Sequence, residues 1–217
     1  MVKPILLCIE GLIGAGKTTI CSELEQNISS FISTNNMQVK ILKEPVEYWR
    51  ELGLLDRFYK DQKRWAFTFQ LTALVTKCME LMNLDDDTIY IIERSPYTDL
   101  NCFAKLCNMS GSIDDMEMNI YKLYFKHFIT QLESKCAIQF IYLKTSPEIC
   151  MERIMKRDRA EEKGIPIEYL ISLEELHNEW LINNSIILNG NTDISDKTNI
   201  SAINDFIKWQ IISKLQK

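Results

Sequence analysis

The stretch Gly11-Leu12-Ile13-Gly14-Ala15-Gly16-Lys17-Thr18 has the spacing G-x-x-x-x-G-K-T. Residues of these types at this spacing can hold a polyphosphate. The glycines let the backbone turn so that successive N–H groups face one anion, and a following helix adds the positive end of its dipole. In such a phosphate-binding P-loop the lysine reaches the β- and γ-phosphates and the hydroxyl sits on Mg²⁺. The expected ATP contacts are therefore Gly11, Gly14, Ala15, Gly16, Lys17, Thr18 and Thr19, with Thr18 on the metal. The alternative is a glycine-rich turn without a ligand. The apolar run Ile5–Ile9 before the loop and the helical stretch Thr19–Ile28 after it speak against that.

If the phosphoryl group goes to a hydroxyl, some group must take that hydroxyl's proton, and carboxylates at strand ends beside the loop can do so. Glu44, ahead of Pro45, is one such group; the proline biases it toward extended backbone. An ordinary loop glutamate is the plain alternative. Glu93 and Arg94 form a second place, where Glu93 can hold Mg²⁺ through water and Arg94 can contact phosphate or orient Glu44. A structural ion pair is the alternative there. Gln70, Ala73 and Lys77 share a helix face at i, i+3 and i+7. A glutamine amide both donates and accepts, which suits the edge of a nucleobase, although a solvated polar stripe has the same spacing. Arg153, Lys156, Arg157 and Arg159 put four cations within seven residues, followed by the polar stretch Glu161-Glu162-Lys163-Gly164. Arginine forks suit phosphate oxygens, so this reads as a lid; a solvated helix end is the alternative.

The elements that must position these groups are legible as apolar runs. Ile5–Ile9, Val39–Leu42, Ile89–Ile92, Ile138–Leu143 and Ile186–Leu188 suit strands of a parallel sheet buried on both faces, each separated by enough chain for a crossover helix. Helices are expected over Trp65–Leu84 and Ile167–Asn184, a turn over Asn189–Asp193, and a closing helix over Ile200–Leu215 with Ile203, Phe206, Ile207, Trp209, Ile211 and Ile212 as its apolar face. The fold class is α/β, a P-loop kinase fold with a five-stranded parallel sheet flanked by helices and an arginine-rich lid over about 153–166, in one domain of 1–217.

The bulk of the sequence narrows the function further. A net charge of −5 argues against wholesale nucleic-acid binding, so anionic ligands must be met by local clusters. Seven scattered cysteines without a C-x-x-C pair read as reduced thiols, with Cys8 and Cys21 in the core. His127 and His177 lie far apart and read as structural or surface residues, not ligands. No run approaches a membrane span and none reads as a secretory signal, so a cytoplasmic protein is expected. The weight of Ile, Asn and Lys suits an AT-rich genome, for instance a viral one.

Together these residues resemble the deoxyribonucleoside kinase family, in particular its deoxycytidine and deoxyguanosine kinase type. The likeness runs from the glycine loop to Leu181 and rests on G-x-x-x-x-G-K-T, E-P-V-x-x-W, R-W-x-F-T-F-Q, E-R-S-x-Y-x-D and R-x-x-x-R-x-R-x-E-E-x-G-I-P. The resemblance implies that Glu44 takes the proton of the sugar 5′-hydroxyl, with Arg94 beside it and Glu93 on the Mg²⁺ side. It implies that Trp49, Phe69 and Phe103 wall the nucleobase, that Gln70 pairs with its edge, and that Tyr59 and Glu162 bond the 3′-hydroxyl. Arg153, Arg157 and Arg159 then hold the triphosphate, and a homodimer is expected. Deoxycytidine-type members place an Arg–Asp pair over the nucleobase, whereas thymidine-accepting members have Ala and an apolar residue. The matching residues here are Ala73, Lys77 and Asp99, which keep the charges but exchange the guanidinium for an ammonium.

The expected reaction is transfer of the γ-phosphoryl of ATP to the 5′-hydroxyl of a 2′-deoxynucleoside, deoxycytidine or a purine. A thymidine-accepting or broad enzyme is the nearest alternative. A thymidylate-type monophosphate kinase needs extra cations at the acceptor, and the E-P-V and F-T-F-Q stretches argue against it. A non-catalytic subunit would be free to lose Lys17, Glu44 or the lid arginines, all of which are present.

Overall fold

The computed structural model describes residues 3–32 and 38–192, together with 201, 202, 205 and 209. The closing helix expected over 200–215 and the last residue of the expected turn, Asp193, thus lie largely outside the described residues.

Five strands form one parallel sheet: β1 (Ile5–Glu10), β2 (Gln38–Leu42), β3 (Thr88–Glu93), β4 (Ala137–Lys144) and β5 (Ser185–Asn189). Their order is β2-β3-β1-β4-β5, so β1 is central and pairs in parallel with β3 and β4. β1 and β3 are buried at every position, and alternate side chains serve opposite faces. Ile5, Leu7 and Ile9 face one core cluster; Leu6 and Cys8 face another. Burial on both faces does not extend to the rest. β2 and β5 are edge strands with exposed positions, and β4 is only partly covered over its first half. Apolar content also stopped the expected strands short, because Glu10 and Glu93 complete β1 and β3 as charged last residues.

The helices are α1 (Lys17–Ile32), α2 (Val46–Glu51), α3 (Leu54–Lys60), α4 (Gln62–Leu81), α5 (Pro96–Thr98), α6 (Lys105–Met109), α7 (Asp115–Lys135), α8 (Pro147–Arg157) and α9 (Ile167–Leu181). α1 begins two residues before the expected start, directly at Lys17. α4 begins three residues early because Asp61 caps it, its carboxylate accepting from Arg64 N at 3.1 Å. α9 stops at Leu181, short of Asn184. α7 opens on a reciprocal capping box between Asp114 and Glu117. Between α5 and α6 the chain makes a π-helical turn, Asp99–Ala104. Of the supposed lid, Arg153 and Arg157 belong to α8. Only 158–166 is irregular, with Asp158 in left-handed backbone and a 3₁₀ turn at Ala160–Glu162.

All seven cysteines are free and buried. His177 is buried, His127 is exposed, and each bonds within its own helix. No described helix is long and apolar enough to cross a membrane.

Candidate active site

The strand ends β1, β2 and β3 open on one cavity of about 1030 Å³. Ligands of open α/β sheets bind beyond these carboxyl ends. The glycine loop leaves β1 and runs straight into α1. Gly14 has φ +78°, and a Cβ there would stand 2.5 Å from the carbonyl of Cys150, so the loop packs directly on the backbone of α8. At Gly11, φ +146°, a Cβ would meet Leu143 O at 2.7 Å. Lys17 folds back over this loop and donates to the carbonyls of Gly11 at 3.0 Å and Leu12 at 2.7 Å. Burial, with Arg94 nearby, lowers its pKa to about 8.

Thr18 Oγ1 donates to Glu93 Oε1 at 2.5 Å, so a hydroxyl from the first turn of α1 and a carboxylate from the end of β3 meet beside the loop. Arg94 follows Glu93 in left-handed backbone, φ +60°, with its N–H bonded to Ile9 O. A non-glycine residue in that region is uncommon and often marks a functional position. The guanidinium lies over the Phe103 ring at 4.5 Å, reaches Gly11 O at 3.4 Å, and sets Nε 3.4 Å from Glu44 Oε1.

Glu44, after β2, is held at the same oxygen by Lys77 Nζ at 2.8 Å. Burial alone would raise its pKa, but Lys77 and Arg94 pull it down to about 2. Lys77 also donates to Asp99 Oδ1 at 2.7 Å. Asp99 is pushed up to about 6, chiefly by burial, against the pull of Lys77. Asp99 starts the π-helical turn, a geometry frequent at functional sites.

Trp49 is buried on α2 and hydrogen-bonds Thr76; Phe69 packs edge-on against it and stacks on Phe58 at 4.7 Å. Gln70 and Ala73, on α4 with Phe69, are both buried and line the same cavity. Gln70 Nε2 and Asp99 Oδ2 are buried atoms with no hydrogen-bond partner. Buried polar atoms cost free energy when unpaired, so two such atoms lining one cavity mark where a polar ligand edge fits.

Nearly every expected residue lines this cavity: Gly14, Gly16, Lys17, Thr18, Thr19, Glu44, Trp49, Tyr59, Phe69, Gln70, Ala73, Glu93, Arg94, Asp99, Phe103, Arg153, Arg157, Arg159 and Glu162. Gly11 and Ala15 stand back from it but offer carbonyls to Lys17 and Arg153. Lys77 does not line it, and reaches its two carboxylates from behind. Glu162 is ion-paired with Arg157 and Arg159, the latter at 3.3 Å, and not with Tyr59. Arg153 bridges Ala15 O and Thr192 O, both at 3.0 Å, and so ties the glycine loop to the segment after β5.

Two residues of this site were not anticipated. Glu10 is fully buried and accepts from Ser95 N at 3.0 Å and Thr98 Oγ1 at 2.5 Å, which anchors the turn bearing Arg94. A lone glutamate closing an apolar strand was the signal available for it. Arg50 binds Glu47 and Glu161 and so joins α2 to the lid. Nothing in the spacing of Arg50 and Glu161 announces that contact.

A parallel sheet whose central strand delivers a lysine-bearing glycine loop, with a carboxylate and an arginine converging from the next strand ends, defines a phosphotransferase of the P-loop kinase class. Comparison with known proteins narrows that class. The chain belongs to the deoxynucleoside kinase family: the family described as "Deoxynucleoside kinase" matches residues 7–211. It is 37% identical to a protein of Fowlpox virus (strain NVSL) named "Probable deoxycytidine kinase", over 93% of this chain and 87% of that one. It is 32% identical to "Thymidine kinase 2, mitochondrial" of Homo sapiens, over 85% of this chain and 67% of that one. Human "Deoxycytidine kinase" is 30% identical over 84% of this chain and 77% of its own length. The chain is thus a kinase with nucleoside and nucleotide substrates, and its relatives differ in the nucleobase their names carry.

Proposed function

We propose that the chain, as one catalytic unit over 1–217, transfers the γ-phosphoryl of ATP to the 5′-hydroxyl of a 2′-deoxynucleoside whose nucleobase bears an exocyclic amino group, deoxycytidine first and the purines beside it. The carrying observation is the pair of unpartnered buried atoms: a donor at Gln70 Nε2 and an acceptor at Asp99 Oδ2. A ring acceptor at Gln70 Nε2 with an exocyclic amino group at Asp99 Oδ2 satisfies both at once; thymine offers such a pair only through O4 and its ring N3–H, so the reading rests on an amino group, and not a carbonyl, standing at the Asp99 carboxylate.

In this reading Trp49, Phe69 and Phe103 flank the nucleobase and Ala73 leaves it room. Tyr59 and Glu162 take the sugar 3′-hydroxyl once Glu162 is released by the arginines. Glu44 accepts the 5′ proton. Both of its cations engage Oε1, which leaves Oε2 for the acceptor hydroxyl. A carboxylate with so low a pKa is ionised throughout the working range and takes its proton late, as a loose phosphoryl-transfer transition state allows. Lys17 exchanges the loop carbonyls for phosphate oxygens, and Arg153, Arg157 and Arg159 surround the same group.

The residues present fit Mg²⁺. Thr18 and Glu93 offer hard oxygen donors side by side, which suits an ion that takes its remaining ligands from phosphate and water. When bound there it would offset charge on the β- and γ-oxygens. A homodimer is also proposed, on the exposed apolar stripe Met116, Ile120, Leu123 and Tyr124 along α7.

The test is an ATP- and Mg²⁺-dependent phosphorylation panel over the four natural deoxynucleosides, compared as kcat/KM. Deoxycytidine or a purine is expected to lead by more than about tenfold, the scale of discrimination when a buried polar group must find its partner. A strong preference for thymidine would overturn the reading of Asp99 and Gln70.

A further inference from the structure

We propose that Lys77 is a positioning residue for Glu44, fixing the general base through a cation that it shares with the nucleobase-facing Asp99. This rests on the reading of Glu44 as the base.

The geometry carries it. Lys77 is 5% exposed and absent from the cavity lining, so its ammonium is not set to touch a ligand. Nζ instead lies 2.8 Å from Glu44 Oε1 and 2.7 Å from Asp99 Oδ1, with the Trp49 ring 5.5 Å away. The two carboxylates come from unrelated elements, one after β2 and one on the π-helical turn. Lys77, from α4, bonds both. The compact ammonium of Lys77 donates to both carboxylates from one nitrogen, whereas a guanidinium, as at Arg50, reaches two carboxylates only through separate nitrogens at the edges of a larger planar group. The lysine in place of the arginine that the family resemblance led us to expect is therefore a change of wiring: it links the residue that meets the nucleobase to the residue that takes the proton.

The other charges around Glu44 do not duplicate this. Arg94 from the end of β3 stands farther off, at 3.4 Å and outside hydrogen-bond geometry. Lys17 from the glycine loop is engaged by two carbonyls. Lys43, next to Glu44 in the chain, is paired with Glu25 at 2.9 Å, and Asp99, Glu93 and the Tyr59 phenol supply no positive charge. Without Lys77, Glu44 keeps one distant guanidinium as its orienting partner, and its carboxylate is free to turn.

The experiment separates the action on Glu44 from any action through Asp99. The Asp99→Asn enzyme is compared with Asp99→Asn/Lys77→Met, which has the same site charge as the wild type because one cation and one carboxylate are gone. Both are assayed with the best deoxynucleoside and saturating ATP and Mg²⁺. The double variant is expected to show its acid limb in kcat/KM raised by about one pH unit or more, the scale on which a close opposite charge moves a carboxylate. Its kcat should fall by about tenfold or more at pH 6 while the nucleoside KM changes little, the split expected for a loss confined to the transition state. Lys77→Arg in the same background should recover only part of this. If the methionine form does not fold, Asp99→Asn/Lys77→Gln carries the same comparison. Superimposable acid limbs and equal kcat values would overturn the proposal. Glu44→Gln is the separate arm: it should lose about 10²–10⁴ in turnover, and if it does not, the reading of Glu44 as the base fails and not the wiring of Lys77 alone.

Discussion

Glu44 and Asp99 flank one ammonium and titrate in opposite directions. Asp99 is pushed from its ordinary 3.8 to about 6 by burial, so its contribution to stability is fully present below about pH 3.8 and lost as pH rises through 6. Burial works against Glu44 too, but Lys77 and Arg94 outweigh it and lower its pKa from 4.5 to about 2. Its contribution is therefore present above about pH 4.5 and lost as pH falls toward 2. The pair favours the fold most between these limits, near pH 4. We expect the Tm of the ligand-free chain to decline relative to Asp99→Asn as pH rises from 4 to 6.5, measured by thermal unfolding in matched ionic strength. A difference in Tm that stays flat over that range would remove Asp99 as the titrating group. At this scale the sequence was informative wherever chemistry coincides with a strand end. Lys17, Glu44, Glu93 and Arg94 could be picked because glycine spacing and apolar runs say where strands stop. The shared ammonium could not, since it depends on a π-helical turn that no periodicity predicts and that swings Asp99 toward α4.

The elements were legible in kind and less so in extent. Each apolar run became a strand, but charged terminal residues hid the last rung of β1 and β3, and capping by Asp61 moved α4 earlier than its aromatic residues suggest. The sheet order was out of reach of the runs themselves, because any of them could have been an edge. α7 shows what pattern alone leaves open. It buries Met118, Tyr121, Ile129 and Leu132 against the fold, yet Met116 and Leu123 are each 67% exposed on the same helix, with Ile120 and Tyr124 between them. Such a stripe is the surface we assign to a second copy of the chain. Leu123→Asp is expected to halve the mass seen by light scattering at micromolar concentration while leaving the far-UV spectrum intact. A wild-type chain that is monomeric would remove the proposed dimer, and a variant that remains a dimer would move the interface elsewhere.

Taken whole, the molecule carries a net charge of −5 and one cavity rich in arginine and lysine. The cluster Arg153–Arg159 was visible as cations in the sequence, whereas their occupancy by the chain's own groups was not, because Glu161 and Glu162 read as part of a mobile lid loop and Glu162 was expected on the sugar 3′-hydroxyl. In the folded chain Arg157 and Arg159 lie on Glu162, and Arg50 on Glu47 and Glu161. On the proposed reading, binding a triphosphate therefore exchanges one ion pair for another. The affinity for Mg²⁺–ATP without nucleoside should fall with ionic strength less steeply in the wild type than in Glu162→Gln, measured by calorimetry between 50 and 300 mM salt at roughly Debye lengths of 14 to 6 Å. Parallel slopes would mean that the carboxylate is not displaced. On that reading the same internal pairing is also an entry filter. Bare arginines at the mouth of a cavity would adsorb any passing polyanion. A lid that already holds a carboxylate admits only an anion dense enough in charge to displace it, and so keeps the site clear of weaker ones.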